Sequence, residues 1–201
     1  MINRNPQDWQ RVLGAIADVV RVLTVALSVA AYFLWGPSEA FVFLAVFGLI
    51  LVPRLAHLPR PFDAGFAVTL VIAALAGVVG WYRAVFWSDL LIHFVATGAT
   101  AAMVHLLLAK HGLVSQLRDR EDSHPHVRIV VLTTSFGLSV GVLWEFFEWA
   151  ANLMLPAVHV GYGDTLLDLA VGLLGSVVAG LLLLAWARSG RGSQRPEMGT
   201  D

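Results

Sequence analysis

The sequence predicts an all-α polytopic membrane protein, a six-helix transmembrane bundle, and three observations carry that expectation. Residues are 58% hydrophobic and only 13% charged, about half the charged share that keeps a soluble chain wet. Mean hydropathy is +0.74. Uncharged runs such as 64–82 have the length of a bilayer crossing.

The elements follow in order. Residues 11–35 form the first span; Asp18 and Arg21 interrupt its apolar run, which argues against a cleaved signal peptide. At i,i+3 these two pair most simply with each other. Gly36-Pro37-Ser38 offers a turn and an N-cap for the second span, 38–55, and Pro53, Pro59 and Pro61 are expected to stop it. The third and fourth spans are 64–82 and 87–109. A charged loop leads to the fifth, 127–155, and Pro156, Gly161 and Gly163 make a tight connection to the sixth, 162–187. Residues 1–187 thus make one transmembrane domain, and 188–201 are expected to be a disordered cytoplasmic tail.

An even number of spans puts both termini on one side of the membrane. Arg4, Arg11, Arg54, Arg60, Lys110, Arg118, Arg120, Arg128, Arg188, Arg191 and Arg195 share that side, and Arg83 alone falls opposite. The excess of basic residues makes that side cytoplasmic, so the chain is expected N-in and C-in, with the connections near Gly36, Arg83 and His159 outside. Trp35, Trp81, Tyr82, Trp87, Trp149 and Tyr162 then map to the outer interface and Trp9 and Trp186 to the inner one, where amphipathic rings prefer to sit.

Composition also excludes functions. With a net charge of −1 and no sustained basic tract, the chain lacks the clustered cations that nucleic acid requires. Zero cysteines exclude disulfides, thiolate zinc, iron–sulfur clusters and a cysteine nucleophile. Any metal must sit on oxygen and imidazole. Ser88, Ser135, Ser139 and Ser176 lie in no nucleophile motif.

Of fourteen acidic residues, nine are expected in loops, tails or span ends: Asp8, Asp18, Glu39, Asp63, Asp119, Glu121, Asp122, Glu197 and Asp201. The other five lie within spans, where ionisable groups are costly and so are functional candidates. Asp89 and His93 are i,i+4, Glu145 and Glu148 i,i+3, and Asp164 and Asp168 i,i+4, so each pair shares a helix face. All six fall in the outer half of their spans, and the short fifth connection makes spans five and six antiparallel neighbours. The polar faces continue inward through Thr97, Ala101 and His105 on span four, Gly137 and Gly141 on span five, and Gly172, Ser176 and Gly180 on span six. Small residues at this spacing allow close helix approach, and a stripe of them alone is simple packing. His105 reads as a packing histidine, His159 as a wet loop residue or a gate, and His111, His124 and His126 as solvated.

Five carboxylates in lipid, at about 2.5–3.5 kcal/mol each near mid-bilayer, need protons or cations. No Lys or Arg in these three spans neutralises them. One or two divalent ions held by Asp89, His93, Glu145, Asp164 and Asp168 would; the donor set suits manganese, iron or magnesium better than zinc.

At these residues the chain resembles the YjdF-like family of bacterial inner-membrane proteins, a domain of unknown function. The likeness rests on Asp89-Leu-Leu-Ile-His93-Phe94, on Leu143-Trp144-Glu145-Phe146-Phe147-Glu148-Trp149, and on Gly161-Tyr162-Gly163-Asp164-Thr165-Leu166-Leu167-Asp168. It covers the C-terminal half well, with spans one to three alike in hydropathy. The resemblance implies six helices, a bacterial cytoplasmic (inner) membrane and a signature at Asp89, His93, Glu145, Glu148, Asp164 and Asp168; it supplies no activity.

The residues themselves suggest an intramembrane metal-dependent hydrolase or transferase acting on a membrane lipid or lipid-linked substrate, with Glu148 as general base. A divalent-metal or proton-coupled transporter is the alternative, though such sites usually lie near mid-membrane among interrupted helices and repeats. A metal that only ties helices together is the third. Substrate, metal and oligomeric state are not written in the sequence.

The topology is directly testable. Reporters fused after Ser189 or within 114–126 should read cytoplasmic, and one near His159 external. A cytoplasmic reading at His159 would overturn the orientation.

Overall fold

A computed structural model describes residues 8–85, 87–118, 124–154 and 161–194. His159 with the rest of 155–160, residues 119–123 of the loop, and the tail from 195 onward fall outside the described residues. Among the described residues every regular element is helical: α1 (Asp8–Leu34), α2 (Pro37–Leu55), α3 (Arg60–Val78), the single turn α4 (Trp81–Ala84), α5 (Ser88–Lys110), α6 (Pro125–Met154) and α7 (Tyr162–Arg188). All but α4 are long and apolar enough to cross a membrane. Large apolar side chains such as Val22, Phe33, Phe41, Leu143 and Phe146 point outward, forming the kind of surface that a bilayer covers.

The helices group into two compact units, one of α1, α2 and α3 and one spanning Tyr82–Gly192. In the first, all three helices touch one another around Ala17, Ala31, Phe43, Ile50, Ala67 and Ala76. Alanines at the contacts let the axes approach closely, which matters in lipid because apolar burial gives no drive there. Ser28 Oγ adds a hydrogen bond to the Ala40 carbonyl at 2.8 Å.

The second span ends at residue 55 as expected, but not through Pro53, and both ends of the third differ from the sequence expectation. Pro53 does not stop α2, which runs through it to Leu55. The stop comes two residues later, where His57 takes a left-handed φ of 52° and the Leu58 N–H reaches back to the Pro53 carbonyl at 3.0 Å, a Schellman closure. Pro61, also expected to be a terminator, instead opens α3; proline suits a first turn because the N–H it lacks would have no helical partner there. The third span is therefore shifted toward the N-terminus. It ends at Val78 rather than at Tyr82, because Gly80 turns left-handed at φ 71° and caps it.

Asp63 is the larger correction. Expected to be exposed or tolerated near a span end, it sits in the first turn of α3 but is 1% exposed. It is ion-paired with the buried guanidinium of Arg21 on α1. Arg21 donates from Nε and Nη2 to the Ile50 carbonyl at 3.0 and 2.8 Å and from Nη1 to Asp18 at 3.0 Å, as the i,i+3 spacing suggested. Arg54 reaches the other Asp18 oxygen at 3.4 Å. One arginine thereby ties α1 to both α2 and α3.

Breaking a buried pair strands a charge, so Asp63→Ala should lower stability by about 3–5 kcal/mol, whereas Arg21→Met with Asp63→Leu should recover most of the loss. Unfolding in detergent reads both. An unchanged midpoint for Asp63→Ala would contradict the tie.

Candidate metal centre

The second unit is held together by glycine. A β-carbon on Gly175 of α7 would overlap the Phe94 carbonyl of α5, and one on Gly98 would lie 2.6 Å from the Gly175 carbonyl oxygen. The two backbones therefore touch, and only glycine fits. On α6, a β-carbon on Gly137 would overlap the Ser176 hydroxyl and lie 3.1 Å from Ala101, so all three helices meet at one level. Gly172 packs on Thr97 one turn away, and Gly180 on Val130 and Thr133 farther along. The small-residue stripe read from the sequence is thus packing. It also brings the three polar faces within reach of one another.

Each face is aimed by its own helix. On α6 Glu145 is buried and Glu148 half-buried, while Trp144, Phe146, Phe147 and Trp149 point outward. This is the 100° periodicity expected of an amphipathic segment whose apolar side meets lipid. On α7 Asp168 heads the buried line Gly172, Ser176 and Gly180. On α5 His93 is one turn past Asp89.

Asp89, His93 and Asp168 bring one donor atom each within 4.8 Å of one another, and so do His93, Glu145 and Glu148. His93 is common to both groups. Its Nε2 lies 3.6 Å from Asp89 Oδ1 and 3.9 Å from Asp168 Oδ2. These gaps are too long for hydrogen bonds. They fall within the roughly 3.0–4.2 Å that separates two donors bonded to one ion at about 2.1 Å.

Burial sharpens the point. Asp168 is 3% and Glu145 8% exposed, and among the described residues Asp168 Oδ1 and Glu145 Oε2 have no hydrogen-bond partner. Buried carboxylate oxygens are normally satisfied because leaving one bare costs more than a lost hydrogen bond. Four carboxylates therefore surround a single imidazole. Among the described residues no Lys or Arg is ion-paired to them.

The sequence-selected residues are not treated alike. Asp89, His93, Glu145, Glu148 and Asp168 come together. Asp164 lies one turn before Asp168, is exposed, and belongs to neither donor group. His105 is buried, with Nδ1 2.8 Å from the Thr133 hydroxyl and its ring edge-on to Phe136; its Nε2 has no partner among the described residues. Thr133 Oγ1 donates to the Ile129 carbonyl at 2.7 Å, so it accepts from His105, which places the proton on Nδ1. His111, His124 and His126 are exposed, as expected.

Two features escaped the sequence reading. Gly98 and Gly175 lie outside the small-residue stripe of the sequence, although the Gly172-Leu-Leu-Gly175 spacing is a visible sign of a close-approach face. Tyr82 is more than the interface aromatic that its place in the sequence suggests. It is half-buried beside the cluster, and burial followed by the charges of Asp89 and Glu148 pushes its phenol well above the usual range. Its place in the short link ahead of α5 gave no periodicity by which to find it.

No curated protein and no solved structure matches this chain. A family described as "Predicted membrane protein (DUF2238)", also named YjdF-like, matches residues 12–189, through all six spans and every residue of the cluster, and the chain belongs to that family.

Proposed function

We propose that the cluster is a divalent-metal centre and that the protein is a membrane metalloenzyme, a hydrolase or transferase acting on a lipid or lipid-linked phosphate or ester. The observation that carries the reading is the pair of buried carboxylate oxygens on Asp168 and Glu145, without a partner among the described residues, beside donors spaced as ion ligands. In this reading Asp89, His93, Asp168 and Glu145 hold the ion. Hard oxygen donors with one imidazole favour manganese, iron or magnesium over zinc. Asp164, exposed one turn outward and outside both donor groups, supplies negative charge on the approach.

A bound divalent ion supplies Lewis acidity and lowers the pKa of a coordinated water. The chain's part is to hold, orient and accept a proton. Glu148 is less buried than Glu145 and one turn farther toward the helix end, so it is the carboxylate placed to accept a proton from the reacting water. Tyr82, beside Asp89 and Glu148 with its phenol kept protonated, supplies a donor for a substrate oxygen. In the orientation inferred from the basic residues, the chain lies in a bacterial cytoplasmic membrane with both termini inside, and the centre serves the outer leaflet.

Glu148→Gln preserves size and hydrogen bonding but removes basicity. It should leave the melting temperature in detergent unchanged and lower lipid turnover by about 100- to 10,000-fold, read by lipid profiling of cells expressing either form. Vesicle uptake of manganese run in parallel separates the transporter. Unchanged lipids with manganese flux that depends on Glu148 would overturn the enzyme and establish transport.

A further inference from the structure

The second unit has another polar feature, at the opposite end from the carboxylates and independent of any reading of them. The start of α6, the last turn of α7 and the chain following α5 flank an open cavity of 460 Å³. Leu117 and Ile129, 2% and 1% exposed, back its wall, and the half-buried Pro125 and Ala187 supply its accessible apolar surface. Arg118, His126 and Arg188 supply its polar lining.

Its depth is set by helix length. From Ile129 to Glu148 is nineteen residues of continuous α6, about 28 Å at 1.5 Å per residue. That is close to the thickness of a bilayer's hydrocarbon core. With the carboxylates near one membrane face, the cavity lies at headgroup level on the other.

The surrounding cations divide into those committed to structure and those turned to the cavity. Arg128 donates to the Ser115 and Gln116 carbonyls at 2.8 and 3.0 Å, fixing the chain after α5. Arg191 stacks over Trp186, 4.6 Å from the ring centroid. Arg118 donates from Nη1 to the Gly190 carbonyl at 2.9 Å; one side of its guanidinium is anchored while the rest of the planar fork keeps its donors. Among the described residues neither Arg188 nor His126 has an ion-pair partner. An anchored guanidinium, a second arginine and the positive end of the 30-residue α6 together suit a phosphate.

We propose that this cavity binds the phosphate of an anionic phospholipid, with Arg118 and Arg188 on the headgroup and the apolar surface of Pro125 and Ala187 against the glycerol and first acyl carbons. Cations over an apolar floor at headgroup depth match such a ligand. Free phosphate would use the same arginines but gain nothing from the floor.

The test uses the full chain purified in neutral detergent and titrated with phosphatidylglycerol, phosphatidylcholine or inorganic phosphate, read by native mass spectrometry and thermal unfolding. Phosphatidylglycerol should remain bound and raise the melting temperature; the other two should not. Arg118→Gln with Arg188→Gln should weaken phosphatidylglycerol binding by on the order of tenfold or more. Arg188→Gln alone, which removes no internal hydrogen bond among the described residues, separates loss of the site from loss of fold and should retain the wild-type melting temperature without lipid. Arg11→Gln on exposed α1 is the charge control and should bind as wild type. Undiminished binding by the double variant, equal loss in Arg11→Gln, or protection by inorganic phosphate matching that by phosphatidylglycerol would each overturn the proposal.

Discussion

The backbone contact between α5 and α7 at Phe94, Gly98 and Gly175 is the constraint on which the rest of the second unit depends. In lipid, apolar side chains gain little by leaving one apolar medium for another, so helices associate through close packing and polar contacts. Glycine at these positions removes the side chains that would hold the axes apart. Once they touch, the helical period decides what else meets. Thr97 falls on Gly172, Ala101 near Gly137 and Ser176, and Asp89 with His93 lies beside Asp168. The polar cluster is a consequence of the same register that packs the apolar half of the bundle.

The two units handle buried charge in opposite ways. In the first, Arg21 meets Asp63 and the Ile50 carbonyl, and Asp18 is shared between Arg21 and Arg54; two acids face two bases, and the network closes on itself. In the second, Asp89, Glu145, Glu148 and Asp168 face one histidine, and two of their oxygens have no partner among the described residues. A protein built to bury carboxylates for packing alone would resemble the first arrangement. The second has the composition of a donor set, and on the proposed reading a bound ion would offset the cost of holding four carboxylates together.

Much of this was legible in the sequence, because spans in lipid are long uniform runs and because i,i+3 and i,i+4 spacing fixes which residues share a face. The six spans, the inward faces of Glu145 and Asp168, and the Asp18–Arg21 pair follow from those rules. What was not legible depends on partners distant in the chain. Arg21 finds Asp63 forty-two residues away, and an aspartate at a span start reads as wet until that partner is seen. Eighteen glycines do not announce which two will bring backbones together. Pro61 opens a helix rather than ending one, and Gly80 ends one rather than continuing it, because each acts through the turn it sits in. Asp164 shares a helix face with Asp168, yet one turn along the axis is the difference between an exposed carboxylate and a buried one.

The central claim is that a divalent ion compensates the carboxylates of α5, α6 and α7. The most direct measurement is elemental analysis of the full chain purified in detergent without chelator, beside Asp168→Asn, which keeps the shape of the side chain and removes its charge. One or two divalent ions per chain in the wild type, lost in the variant and on chelation with a fall in melting temperature, is the predicted result. Metal-free wild-type protein whose melting is indifferent to chelator and to added manganese, iron or magnesium would contradict it and leave the carboxylates neutralised by protons.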